Sequence, residues 1–387
     1  MTSILLILLG AIAVGPTIYY FSNNNKNSVL NNYKEFIERF GHKLEENEVT
    51  TEDGYILSLW HLIPNFKVDP EKVIFLQPGF LSTGLNYFGI NKKSLAYVLQ
   101  EKGYDVWIGN NRGCKFSSKH ITKDSTKSNG NYWEYTMDEI VKYDLTSEIN
   151  YIKKRTGVEK IHFVGYSEGS TLFLMLYMDN PHFVESSINK FVSIGTVPNL
   201  SYINITISES FEKICDYLKL SEPFTKAFKI NDYVRASLIK SVKSNPQYFV
   251  KKFKSDGCIT DRTNVEGIIQ LFSHYPTDTS IYHIYHWEAI QEEKKLVYYS
   301  PHSKLNDELK EYDLNVIKNW KIRALITRST CDSLSPYNEV TKFINSIKNQ
   351  SLITIFDTQD FAHLDYGLAK SAYQDFYIPL INFLDEK

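Results

Sequence analysis

Gly165-Tyr166-Ser167-Glu168-Gly169 sets a serine between two glycines, each two positions away. A short apolar run, Ile161 to Gly165, precedes it, and a helix-length run stopped by Pro181 follows. A serine on such a strand–turn–helix bend is a nucleophile elbow. The bend is predicted to be so tight that Ser167 takes a strained backbone conformation and only glycine fits on either side. Its hydroxyl then stands clear, at the positive end of the following helix. The competing reading is a serine that merely caps a core helix, and partners elsewhere in the chain decide between the two.

A serine hydroxyl is a weak nucleophile at neutral pH and needs a base within hydrogen-bond reach. Behind an elbow the acid and then the histidine follow, each just past the carboxyl end of a later strand. A strand over Ala324 to Thr327 leads into R-S-T-C-D-S, which makes Asp332 the acid. A strand over Leu352 to Phe356 leads into D-T-Q-D-F-A-H-L-D, which makes His363 the base. Asp357, Asp360 and Asp365 are rival acids, but they lie too close to His363 along the chain to orient its ring from a separate strand. The developing oxyanion needs two backbone N–H groups. One comes from Glu168, after the nucleophile, and one from the turn that follows the strand over Val73 to Leu76. Phe80 is the candidate there, although Gln77 to Phe80 also reads as an ordinary Pro-Gly turn.

The elements that position these residues follow from hydrophobic periodicity. Val49 to Ile63 reads as a hairpin turning at Asp53-Gly54. Further strands are predicted at Asp105 to Ile108 and Phe191 to Ile194, and helices at Leu95 to Lys102, Tyr132 to Lys154, Pro336 to Lys348 and Ala369 to Leu384. Between 200 and 312 the chain turns helical, aromatic and lysine-rich, without a clear buried strand. Alternating strands and helices broken by one helical run describe an α/β fold, a mostly parallel sheet with helices on both faces and a helical cap. The predicted divisions are 33–199 and 313–387 for the core and 200–312 for the cap. A length of 387 residues suits one large domain with an insertion as well as two or three domains.

Ile4 to Phe21 carries no charge, and as a helix it would span about 27 Å, against a hydrocarbon core of about 30 Å. No Lys or Arg precedes it and no small-residue cleavage site stands out, so residues 1–22 are read as a retained anchor ahead of a cleaved signal segment. Lys26 and Lys34 favour a cytoplasmic body, whereas the sequons at Asn199, Asn204 and Asn349 point the other way. A net charge of −2 offers no field for nucleic acid. Cys114, Cys215, Cys258 and Cys331 contain no C-x-x-C, so no zinc site is expected; Cys215 and Cys258 pair only if the compartment is oxidising. The aromatic content of 14% fits either a dense core or a surface that meets lipid.

The chain resembles the acid lipase family, the gastric and lysosomal acid lipases and the fungal steryl ester hydrolases that share their fold. T-E-D-G-Y-I-L (Thr51 to Leu57) resembles the family's N-terminal hairpin, and L-Q-P-G-F (Leu76 to Phe80) its oxyanion strand. G-Y-D-V-W-I-G-N-N-R-G-C-K-F-S (Gly103 to Ser117), Y-W-E-Y-T-M-D-E-I-V-K-Y-D-L (Tyr132 to Leu145), the elbow, His286-Trp287 and H-L-D at His363 extend the likeness over nearly the whole chain beyond the anchor. The resemblance implies an α/β-hydrolase fold and hydrolysis of neutral-lipid esters, steryl esters or triacylglycerols; the apolar anchor paired with an aromatic cap would let the enzyme take them from a membrane or lipid-droplet surface. It implies no cofactor and no metal, with Ser167, Asp332 and His363 as the triad and Phe80 and Glu168 as oxyanion donors. It also implies a lid over an apolar pocket. Asn110, Asn111 and Arg112 fall in a family motif and are read as structural. Three positions depart from the family: Pro78 and Tyr166 replace histidines, and Glu168 replaces a glutamine. A carboxylate facing the oxyanion would oppose the charge being stabilised, so Glu168 is expected to point away or to be partly protonated. The readings set against membrane-bound esterase are a secreted triacylglycerol lipase and an inactive lipid-binding protein of the same fold.

Overall fold

A computed structural model describes residues 32–89, 91–200, 225–252, 258, 262–303, 308–358 and 360–386. The predicted anchor, Cys215 and the sequon at Asn204 lie outside them. Among the described residues, no helix is long and apolar enough to cross a membrane.

A short helix, Tyr33–Glu38, precedes the expected hairpin of β1 (Leu44–Thr50) and β2 (Tyr55–Leu62), which is closed at Gly54 with φ of 91°. β3 (Val73–Gln77), α1 (Leu95–Glu101), β4 (Asp105–Ile108) and the short β5 (Lys119–His120) follow. The helix predicted from Tyr132 begins instead at Met137, where Thr136 and Glu139 form a reciprocal cap. It runs as a π-helix over Ile140–Leu145 before becoming α2 (Thr146–Thr156). Tyr132, Trp133 and Tyr135 are left out of that helix because they pack into the core around Tyr55. β6 (Ile161–Tyr166), α3 (Glu168–Asp179) and β7 (Ile188–Ile194) complete the first half.

The described stretch after β7 holds the helices α4 (Asp232–Ser244), α5 (Pro246–Lys252), α6 (Val265–Phe272) and α7 (Ile281–Glu293). It also holds a buried two-stranded ladder, β8 (Ala227–Phe228) against β9 (Thr279–Ser280), too short to leave a periodic signal. β10 (Arg323–Arg328), α8 (Tyr337–Ser346), β11 (Ile353–Asp357) and α9 (Ile378–Asp385) close the chain. The predicted last helix is broken, with a π-helical turn over Tyr373–Tyr377 ahead of α9. Pro379 lies in the first turn of α9, and its missing N–H prevents the preceding turn from closing as regular α-helix.

The main sheet runs β1-β2-β4-β3-β6-β7-β10-β11, with β5 paired to β2. Every pairing from β4 through β11 is parallel, while β1–β2 and β2–β4 are antiparallel. Side chains alternate between two cores, as a strand buried on both faces requires: Val73 and Phe75 go to one, Ile74 and Leu76 to the other. α2, α3 and α8 cover the first face, and α1 and α9 the second. All five tryptophans are buried, so much of the aromatic content is core.

Just past β4, Arg112 is fully buried and faces two carboxylates. Its Nε donates to Asp144 Oδ1 at 2.9 Å, its Nη2 to the same oxygen at 2.6 Å, and its Nη1 to Asp53 Oδ2 at 2.6 Å. Burial alone would lower its pKa, but Asp144 and Asp53 overcome that and hold it well above the usual arginine value. The cluster ties the hairpin turn to the β4 loop and to the helix ahead of α2, which agrees with a structural role. Arg112→Met leaves Asp144 buried and uncompensated and is expected to cost about 3–5 kcal/mol in urea unfolding; a loss under about 1 kcal/mol would show that the cluster carries little.

Candidate active site

At the end of β6 the chain reverses into α3 through Ser167, whose φ of 54° and ψ of −116° lie where non-glycine residues are strained. Its N–H donates to Ile194 O at 2.7 Å, and its carbonyl accepts from Ser170 N–H at 2.9 Å. Glycine is required on both sides by close approach. A Cβ on Gly165 would lie 2.5 Å from Ser170 N, and one on Gly169 would lie 2.3 Å from Gln77 O at the end of β3.

The structure brings Ser167, His363 and Asp332 together. His363 Nε2 is 2.9 Å from Ser167 Oγ, and His363 Nδ1 is 2.9 and 3.0 Å from the two oxygens of Asp332. A carboxylate only accepts, so the ring proton sits on Nδ1 and the Nε2 lone pair faces the serine hydroxyl. Asp332 and His363 are each 3% exposed. Asp332 Oδ1 also accepts from the N–H groups of Leu334 and Ser335, both at 2.9 Å, which orients the carboxylate. The rival acids are engaged elsewhere: Asp357 with Arg328, Asp360 with Arg262, and Asp365 with Thr263 and the N–H of Ala362.

Several contacts fix the histidine loop. The Tyr166 hydroxyl donates to His363 O at 2.5 Å, so the tyrosine found in place of a family histidine pins the base by its backbone. Ser329 Oγ donates to Phe361 O at 2.6 Å, joining the acid loop to the base loop. Cys331, next to Asp332, is bonded to Cys258. Cys258 therefore does not pair with Cys215, the partner open to it in an oxidising compartment: the β10 loop brings Cys331 to a Cα–Cα distance of 5.8 Å from Cys258, a proximity that sequence separation hides.

The two candidate oxyanion residues lie on either side of the serine in the fold, one on the turn after β3 and one directly after Ser167. A Cβ on Gly79 would stand 3.1 Å from Ser167 Cβ, so the turn that carries Phe80 passes directly over the serine. Leu81, the next residue, has φ of 54°, and the turn is strained there. Glu168 opens α3 with its side chain fully buried. Its carboxylate accepts from Trp287 Nε1 at 2.6 Å and from Asn111 Nδ2 at 3.3 Å, and faces His283 Nε2 at 2.8 Å. Sequence reasoning missed His283 entirely and treated Asn111 as structural; only the tertiary fold places them on the elbow. Among the described residues no group of His, Cys, Asp and Glu could hold a metal ion.

Residues 72–366 match the alpha/beta hydrolase fold family and residues 33–89 the partial alpha/beta-hydrolase lipase region; the chain belongs to the alpha/beta hydrolase fold family. It is 28% identical to human lipase member K over 95% of this chain and 94% of that protein. It is 28% identical to human gastric triacylglycerol lipase over 92% of each. An esterase from Exiguobacterium antarcticum superposes with a TM-score of 0.52 over 88% of this chain and 100% of its own, at 14% identity, a likeness of fold alone.

Asp332→Asn keeps the shape but offers a donor to His363 Nδ1 and so favours the wrong tautomer. Steady-state ester hydrolysis should fall roughly 10,000-fold in kcat, with thermal unfolding nearly unchanged. Asp357→Asn, on the neighbouring strand, should leave kcat within about twofold; the reverse pattern would make Asp357 the acid.

Proposed function

We propose that the protein is a serine lipase cleaving triacylglycerols and related neutral-lipid esters, with Ser167, His363 and Asp332 as its triad. Carboxylic ester hydrolysis is the activity of this protein, in keeping with the named lipases among its relatives. The observation that carries the residue assignment is the continuous hydrogen-bonded line from Ser167 Oγ through the His363 ring to Asp332. Ser167 Oγ attacks the ester carbonyl while His363 Nε2 takes its proton. The N–H groups of Phe80 and Glu168 hold the oxyanion, and the imidazolium passes the proton to the departing alcohol. Water, deprotonated by the same nitrogen, then releases the acid from Ser167.

A small cleft beside Tyr166 is lined by Leu85, Leu271, Leu364 and Leu368 together with Asn86 and Gln270, and Ser167 is not part of its wall. His274 also lines it, and burial, helped by Arg235, pushes its pKa down to about 3, which keeps this wall uncharged at neutral pH. We assign residues 200–312 as the cap over the site. Human gastric triacylglycerol lipase among the relatives moves the preference from steryl esters toward acylglycerols. The Cys258–Cys331 bond supports an oxidising, secreted or lumenal compartment ahead of a cytoplasmic one.

Purified protein assayed side by side on triolein, cholesteryl oleate and a phospholipid should be fastest on triolein, and Ser167→Ala should abolish all turnover. A cholesteryl oleate rate well above the triolein rate would restore the steryl esterase reading. Failure of wild-type protein to react with a fluorophosphonate would favour an inactive lipid-binding protein. Sequencing the mature N-terminus should find residues 1–22 removed; an intact N-terminus on a membrane-bound protein would return the anchor.

A further inference from the structure

The two proposed oxyanion donors belong to residues 88 positions apart, yet the side chains of both rest on one turn of α7. His283 and Trp287, four residues apart and so on one face of that helix, are 2% and 3% exposed. Their ring nitrogens both meet Glu168 Oε2, at 2.8 and 2.6 Å. The ring of Phe80 stands edge-on to the His283 ring at 5.2 Å and to the Trp287 ring at 6.2 Å. A third contact comes from just before β9, where Thr277 N–H donates to Leu81 O at 2.8 Å and so grips the strained turn that carries Phe80.

The supporting helix is itself anchored to the core. Thr279 Oγ1 lies 2.9 Å from His283 Nδ1, which fixes the tilt of that ring. Ser280, which caps α7, accepts from Tyr282 N–H through its hydroxyl oxygen and donates that hydroxyl to Trp133 O. Its own N–H donates to the Tyr135 hydroxyl, which in turn donates to Arg112 O.

We infer that His283 and Trp287 are positioning residues that hold Phe80 and Glu168 in register, so that α7 sets the geometry of the oxyanion hole. The inference rests on the serine-lipase reading above. Neither side chain reaches the reacting atoms; each acts through the residue whose N–H does. Misalignment weakens stabilisation of the tetrahedral state and leaves ground-state substrate binding alone, so the loss falls on kcat.

Trp287→Phe keeps an aromatic ring but removes the N–H that meets the buried carboxylate, and Thr279→Val loosens His283 from a distance. Rates are taken per fluorophosphonate-reactive site, so any unfolded fraction drops out. Each variant should lower kcat roughly 10- to 100-fold, a displacement of about 1 Å costing up to about 100-fold, with KM within about threefold. An alkylboronic acid, which forms a tetrahedral adduct on Ser167, should bind the variants more weakly by a similar factor. A dialkyl ether of matching chain length should bind as before. His283→Gln, which still offers an N–H to Glu168, should recover part of the kcat lost in His283→Ala. Unchanged kcat, or boronic acid and ether affinities falling together, would overturn the inference. Wild-type protein that binds no boronic acid would instead overturn the lipase reading itself.

Discussion

The strained backbone at Ser167 is the constraint that the rest of the site is built to hold. A residue with this φ and ψ costs on the order of 1–3 kcal/mol and persists only when its surroundings over-determine it. Here Ile194 O takes its N–H, Ser170 N–H meets its carbonyl, and Gly165 and Gly169 let helix and strand close to distances no side chain permits. The parallel register does the rest. Gln77 lies opposite Gly165, Tyr166 opposite Ile194, and Thr327 opposite Phe356, so the loops after β3, β6, β10 and β11 all leave the same edge of the sheet. Ser167, Asp332 and His363 meet, with the turn that carries Phe80 beside them, because four strands end together.

Each departure from the acid lipase pattern at the elbow is matched by a contact within the fold. Tyr166 has no histidine chemistry to offer, but its hydroxyl holds the backbone of His363. Glu168 brings a carboxylate into a dry interior, where a lone charge would be costly, and it meets Trp287, His283 and Asn111. Gly195 shows how little room remains: with φ of 57°, a Cβ there would sit 2.9 Å from His363 Cε1. Such packing keeps the imidazole from rotating away from Ser167 and Asp332.

The parts that were legible in the sequence are those written locally. β4 falls where its apolar run does, the hairpin turns at Asp53-Gly54, and Ser167, Asp332 and His363 each follow a strand that periodicity marks. The parts that were not legible depend on what a residue meets across the fold. The disulfide joins Cys258 to a cysteine 73 positions away, and His283 meets Glu168 across 115 residues. Neither contact leaves a spacing to read. The long helix before the elbow starts later than its periodicity suggests because Tyr132 and Trp133 suit a helix by period while their bulk is needed in the core. β8 and β9 are two residues each, below what alternation can reveal.

Catalysis by the proposed triad requires a covalent acyl group to form on one hydroxyl. Rapid-quench mass spectrometry of wild-type protein mixed with a slowly deacylating ester measures this directly. One acyl group per molecule, located by peptide mapping to Ser167, should appear in a burst before steady turnover. Turnover with no acylated protein, or an acyl group mapped to another residue, would contradict it.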